Sequence, residues 1–304
     1  MARLWKHSFL VVLLVACAVP AHPATHTIMP GATTIQDAVA SAAPGDSIVL
    51  LPGTYATEQS VVVGKPLTIL SQAGPDATIV DLQYNFGSVF YVAGVQGGPT
   101  IQGLTIRGGV QIAAGMGGGI LCWNSEVVIV DNLIYDNWAA GSLEGTGGLG
   151  AGITVETGTA TIRNNTIVAN FCSGGGLFLW SCSGTVDHNV FAYNRDPNKK
   201  TDWGFGIYCE SSSATIADNV FWANPPEPVH ASCGASVPGN GNVVVDPLFC
   251  NPANYPQSND GWHVRSDSPI APGHEYAGRG APLPLCAATA SKPATWGSVK
   301  ARYR

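Results

Sequence analysis

The chain has 304 residues, 45 % of them hydrophobic and 11 % charged, which is enough apolar material for a large core. Twenty acids against fourteen cations give a net charge of −6 at neutral pH, which argues against nucleic acid and anionic membrane as partners. Strongly polyanionic polysaccharides are disfavoured by the same balance unless a metal bridges them.

Residues 1–24 have the form of an export signal, with Arg3 and Lys6, an apolar run from Phe9 to Ala18, then small residues and Pro20. That run is too short to span a bilayer, so no transmembrane segment is expected. Leu14-Val15-Ala16-Cys17 has the form of a bacterial lipobox. A lipid anchor at Cys17 is therefore the alternative to ordinary cleavage near Ala21 or Ala24, and either route leaves the chain secreted or on the cell surface. Losing Arg3 and Lys6 leaves twelve cations against twenty acids, a net charge of −8.

Next in order, Thr33-Thr34-Ile35-Gln36-Asp37-Ala38-Val39 to Ala42 predicts a short amphipathic helix. Thr33 or Thr34 would cap it, and Pro44-Gly45 would stop it. A strand over Ser47–Leu51 follows, closed by Pro52-Gly53-Thr54-Tyr55. The helix is placed to cover the open first layer of whatever it precedes.

From Gly117 to Asn224 one pattern is written four times. It runs from Gly118-Gly119-Ile120-Leu121-Cys122-Trp123 to Asp131-Asn132-Leu133-Ile134, and from Gly152-Ile153-Thr154-Val155-Glu156 to Asn164-Asn165-Thr166-Ile167. It returns from Gly176-Leu177-Phe178-Leu179-Trp180 to His188-Asn189-Val190-Phe191, and from Gly206-Ile207-Tyr208-Cys209-Glu210 to Asp218-Asn219-Val220-Phe221. A fainter earlier copy, Ile101-Gln102-Gly103-Leu104-Thr105-Ile106, has Leu104 in the slot later taken by Asn. Repeats of this length stack into an array whose units bury their apolar faces only against each other. Three short apolar runs per unit, with no helical period, predict an all-β solenoid of about seven coils.

The opening Thr34-Ile35-Gln36-Asp37-Ala38 through Pro44-Gly45-Asp46 to Pro52-Gly53-Thr54-Tyr55 resembles the start of right-handed parallel β-helix proteins of the pectin-lyase-like group. Ile101–Ile106, Asn165-Thr166-Ile167-Val168-Ala169-Asn170 and the closing Asp246-Pro247-Leu248-Phe249-Cys250 resemble later segments of the same family. The resemblance implies a β-helix over 25–245 with an irregular C-terminal cap over 246–286; residues 287–304, with a cationic finish at Lys300, Arg302 and Arg304, are expected as a flexible tail. It is nearly silent on activity, since such folds serve lyases, hydrolases, epimerases and non-enzymatic surface proteins. The chain is expected to act as a monomer.

Seven cysteines lie beyond the leader, with neither a CxxC pair nor a Cys/His metal spacing, so zinc is not expected. Cys250 and Cys286 bracket the last segment and are the preferred disulfide. Cys122 and Cys209 fall in the inward register three coils apart and are expected as buried thiols. From Asp246 the Pro-rich chain is expected to fold over the open end.

Strand alternation sends Ile120/Cys122, Ile153/Val155, Leu177/Leu179 and Ile207/Cys209 inward. Two outward columns remain: Leu121, Thr154, Phe178, Tyr208, and Trp123, Glu156, Trp180, Glu210. Aromatic faces stack on sugar rings, and carboxylates bind hydroxyls or transfer protons. In the family this strand face carries the groove. Glu156 and Glu210 are thus the catalytic candidates, with Trp123, Trp180, Phe178, Tyr208, Arg195 and Trp203 as substrate-binding residues for an extracellular polysaccharide. The bland alternative is that loops cover the aromatics and the acids are merely solvated. Hydrolysis suits the pair, whereas elimination needs a cation that this face lacks and would borrow from Arg195, Lys199 or Lys200. Asp196 and Asp202, with Glu210, are a candidate calcium set, or else a solvated loop. Asp136, Trp138 and Glu144 are further loop groups, and His188 with Asp187 or Asp218 reads as a surface pair. Asn tolerates the left-handed backbone that a sharp bend between strands requires, so the Asn column reads as a bend-forming amide stack rather than a ligand rail.

Overall fold

The structure is a computed structural model that describes residues 22–112, 116–140, 148–172, 174–196, 205–225, 227–235, 238–252 and 259–286. The export signal, Cys17 and the 287–304 tail lie outside the described residues, apart from the last few positions before Thr25. Among the described residues no helix is long and apolar enough to cross a membrane.

Each repeat makes one turn of a three-faced parallel solenoid. In the best-formed coils a single strand covers two faces, as in Ile120–Val130, Ile153–Arg163 and Leu177–Asp187. It bends where Asn124, Thr157 and Ser181 take left-handed backbone, with φ of 46°, 57° and 47°. In the next coil the same path is broken at Ser211 into Ile207–Glu210 and Thr215–Ala217. The third face is built by Leu133–Tyr135, Thr166–Val168, Val190–Ala192 and Val220–Trp222 inside an eight-stranded parallel sheet. The predicted parallel β-helix is therefore observed, with residues of successive repeats set side by side in register.

The amide stack exists, with one correction. The left-handed residue at each bend is the one before the asparagine: Asp131, Asn164, His188 and Asp218, with φ between 53° and 60°. The asparagines turn inward and are fully buried. Asn165 Oδ1 accepts from the backbone N–H and the side-chain amide of Asn132, both at 3.0 Å, and Asn165 Nδ2 donates to Ile129 O at 2.8 Å. The same links join Asn165 to Asn189, Asn189 to Asn219 and Asn219 to Asn242. A second stack at the next bend joins Asn137, Asn170, Asn194 and Asn224. Backbone groups that the bends would orphan in the interior are thus paired by side chains.

Both ends of the stack are closed. The helix runs over Ile35–Ser41; Thr34 Oγ1 caps it by accepting from Asp37 N, and Ile35, Ala38 and Val39 are buried in the main core. Lys65 Nζ donates to the Val39, Ala40 and Ala42 carbonyls at its C-terminus, where a cation also suits the helix dipole. At the far end Val229 pairs with Ile207, and Cys233 and Ala235 pack on the core. Cys233 is bonded to Cys209, so Cys209 is not the buried free thiol expected of it. Its inward position on the last long coil lets it reach a one-turn helix, Ala231–Cys233, that the repeat pattern does not contain. The Cys250–Cys286 disulfide is present, and Cys122, Cys172 and Cys182 are buried free thiols.

The segment from Asp246 does not close the end. It lies along the outside of the third face, where Phe249, Trp262, Val264 and Ile270 cover Leu133, Tyr135, Val168, Val190 and Val220. These outward positions are apolar in consecutive coils, so they need a cover as much as the interior does. Asn259 reaches Tyr135 and Thr105, and His263 reaches Asp76 at 2.6 Å.

Two outcomes test this account. Asn165→Leu orphans buried donors in mid-stack, and should cost about 3 kcal/mol or more in urea unfolding; a loss below about 1 kcal/mol would sink the pairing role. Asp46 accepts from His26 and from the Ala24 and Ala43 amides, which together hold its carboxyl down to about 2. Its folded value lies below the unfolded one of about 3.9, so its contribution is complete above that value and is lost as pH falls towards about 2. Thermal unfolding of Asp46→Ala and the parent should therefore differ at neutral pH and converge through that window.

Candidate functional site

Strand register sets the strip. Trp123 pairs with Glu156, Glu156 with Trp180, and Trp180 with Glu210, on four adjacent parallel strands of one face. The indoles of Trp123 and Trp180 stay 48 % and 37 % exposed, Glu210 is exposed and Glu156 is half-buried. Neighbouring strands lie about 4.8 Å apart, so Glu156 stands between two indoles and about 9.6 Å, Cβ to Cβ, from Glu210. Burial alone pushes the Glu156 carboxyl above its usual range. The strip thus offers two ring faces, one acid biased towards its protonated form and one open carboxylate.

The other outward column is different. Leu121 and Tyr208 are half-buried, while Thr154 and Phe178 are buried. Phe178, expected as a substrate platform, is instead roofed. Thr154 Oγ1 donates to the Leu149 and Gly150 carbonyls at 3.1 and 3.3 Å, which pins the incoming loop down on the strand. Gly150 passes so close, at φ +57°, that a Cβ there would meet Phe178 Cβ at 2.7 Å. Phe178 then stacks on Tyr208 at 5.4 Å, and Tyr208 on Phe205 at 5.9 Å. Tyr208 keeps its half-exposed edge beside His230, whose ring centroid lies 4.7 Å away. His230 follows Val229, which pairs with Ile207 of the preceding coil.

Arg195 is not on the strip either. It is buried on the bend after the third face, with its guanidinium 5.4 Å over the Phe171 ring. Asp196 follows it and is half-buried; Asp202, Trp203, Lys199, Lys200 and Glu144 lie outside the described residues. Among the described residues no three His, Cys, Asp or Glu side chains gather as a metal site. His188 serves the bend: its carbonyl accepts from Gly280 N at 2.8 Å, and Asp187 pairs with Arg163 at 2.8 Å. The third face is covered, and the Trp123–Glu210 strip on the first is open.

A parallel β-helix with one flank sealed is the class of protein that this geometry defines. The chain belongs to the right handed beta helix family, whose profile, described as "Right handed beta helix region", matches residues 72–246. Among solved structures it is similar to a mannuronic acid specific polysaccharide family 6 lyase from human gut microbiota. That match has 16 % identity and a TM-score of 0.51, and covers 73 % of this chain and 52 % of that one. It is also similar to pectate lyase Pel9A, at 15 % identity over 74 % of this chain and 68 % of that one, with a TM-score of 0.40. An alginate lyase from Paenibacillus sp. str. FPU-7 has 16 % identity over 66 % of this chain and 77 % of that one, with a TM-score of 0.30. The chain spans about half the length of the first of these, and at such identities the likeness is one of fold. A search of curated proteins gives no match.

The two columns should separate in the laboratory. Phe178→Ala removes a buried ring and should cost about 3–5 kcal/mol of stability. Trp123→Ala and Trp180→Ala should each stay within about 1 kcal/mol of the parent. Chemical unfolding of the three variants reads this directly, and equal losses would mean that the strip is packed rather than open.

Proposed function

We propose that the chain is an exported protein that binds extracellular polysaccharide along the Trp123–Glu156–Trp180–Glu210 strip and hydrolyses it there. The single observation that carries this reading is the alternation of exposed indoles and carboxylates on four adjacent strands. The disulfides support an oxidising, extracellular compartment. In this reading Trp123 and Trp180 are the platforms on which sugar rings stack, with the open edge of Tyr208 extending them. Glu156, raised by burial, is the proton donor to the leaving oxygen, and Glu210 draws a proton from the attacking water. Carboxyl groups about 6.5 to 9.5 Å apart suit inversion with a water between them; two strand spacings set the Cβ atoms of Glu156 and Glu210 about 9.6 Å apart, just beyond that range, with Trp180 on the strand between. Elimination is less well supported, because none of the eight outward residues of this face is Lys or Arg.

The openness of the strip favours one second reading, a non-enzymatic adhesive or scaffold surface that holds a polymer without cleaving it. A polysaccharide panel assayed for new reducing ends and for the ultraviolet absorbance of unsaturated uronate separates the outcomes. Reducing ends without that absorbance are expected. Both together would mean elimination, and retention on a polysaccharide gel with neither product would mean binding alone. Glu156→Gln and Glu210→Gln should each lower turnover by about a hundredfold or more. Because the Glu156 proton is needed, kcat/KM should fall as pH rises through its elevated value, a limb that Glu156→Gln removes.

A further inference from the structure

On the bend that follows the third face, three coils contribute to one polar corner outside the strip. Tyr84 Oη donates to Asp136 Oδ2, bridging from the first of these coils to the third. Trp138 donates to the same carboxyl. Between them Arg107 Nε donates to Asp81 Oδ2 at 2.9 Å, and another guanidinium nitrogen of Arg107 donates to Tyr135 Oη, also at 2.9 Å. Asp81 Oδ1 accepts from Gln83 N at 2.7 Å, which holds the turn that carries Tyr84. Gly108 lies beneath this crossing: a Cβ there would come within 2.5 Å of Asp81 Oδ1.

The bend does not require these groups. In register with Asp136, the left-handed slot is filled by Gly108, Ala169, Tyr193 and Ala223 in other coils, so alanine suffices for the turn. Asp136 is nevertheless a nearly fully buried carboxyl, and burial pushes it up to about 6. Gln83 and Tyr84 are successive non-glycine residues in left-handed backbone, at φ 55° and 60°. Beside this costly arrangement two rings stand in water: Tyr84 is 53 % exposed, and Phe86, at 74 %, is the most exposed large hydrophobic residue among those described. Phe86 pairs with Val110 and Val110 with Trp138, so the Phe86 and Trp138 backbones lie about two strand spacings apart across Val110.

We infer that this Tyr84–Phe86–Arg107–Asp136 corner is a second carbohydrate-contact site, separate from the strip, that takes a neutral hexose unit. The exposed ring of Phe86 receives the apolar face of the sugar, and the Tyr84, Asp81 and Arg107 polar atoms meet its hydroxyls. Among the described residues of the corner, two carboxyl groups face one guanidinium, so a uronate is disfavoured. The site does not rest on hydrolysis at the strip.

The test uses the full chain carrying Trp123→Ala and Trp180→Ala, so that strip binding is removed first. Titration calorimetry against neutral hexasaccharides of β-1,4-glucan, β-1,4-mannan and β-1,3-glucan, with tetragalacturonate alongside, reads what remains. At least one neutral probe should bind, more tightly than tetragalacturonate, and adding Phe86→Ala should weaken it about tenfold. Phe86 is exposed, so its variant should melt with the parent, which separates lost binding from lost fold. Tyr84→Phe, which keeps the ring and removes the hydroxyl, should weaken it as well. No neutral probe bound in the double Trp variant, unchanged binding in Phe86→Ala, or tighter binding of tetragalacturonate would each overturn the assignment. Failure of the strip reading would instead show as unchanged polysaccharide binding on loss of the two indoles.

Discussion

A chain that turns sharply three times per coil, around a core with no water in it, must find partners for the amides at each corner. At the first corner a single strand runs through the bend, but at the other two the ladder is interrupted. In this protein the carboxamides of Asn132, Asn165, Asn189, Asn219 and Asn242 supply them at one corner, and Asn137, Asn170, Asn194 and Asn224 at the next. Within each stack an amide accepts from the coil before it and donates to the coil after it, so every link depends on the coils keeping register. That register is what brings Trp123, Glu156, Trp180 and Glu210 into one line, although 87 positions of sequence separate the first from the last.

This explains which parts of the molecule are legible in the sequence. The asparagine slots recur because no other side chain pairs the buried amides as well, and the inward Ile, Leu and Val recur because they stack on their own kind. From those two signals the coil, its register and the strip all follow. What lies on the outer surface obeys no such repeat. Phe178 and Trp180 are equivalent by alternation, yet a loop that approaches Phe178 at Gly150 buries one and leaves the other open. The side-chain period says which way a residue points and nothing about what crosses in front of it.

The other departures have the same origin. Cys209 was placed by its inward register, but the partner that it finds lies in an irregular cap beyond the last full coil. The segment after Asp246 lies on the flank because Leu133, Tyr135, Val168 and Val190 form an outward apolar stripe, one that becomes visible once the third face is known to be a sheet rather than a loop. Asp136 and Tyr84 are 52 residues apart and share no motif, so only the stacking brings them together. Even the left-handed residue moved by one place. Asn is the residue type that tolerates that backbone best, but here its amide is needed inside, and Asp131, Asn164, His188 and Asp218 take the strained position.

The contrast between flanks bears most directly on function. A full cover of Phe249, Trp262, Val264 and Ile270 lies over the third face, and Tyr135 and Tyr193 are buried beneath it. A short helix closes one end of the stack, and a disulfide-tied turn closes the other. Against that cover, the first face leaves Trp123 and Trp180 in water, each beside an acid. Folding gives no reason for that exception, since a smaller polar side chain would serve the strand edge at lower cost in exposed apolar area. Binding does give one, because a ring left half-solvated by its own chain is completed by the flat face of a second molecule.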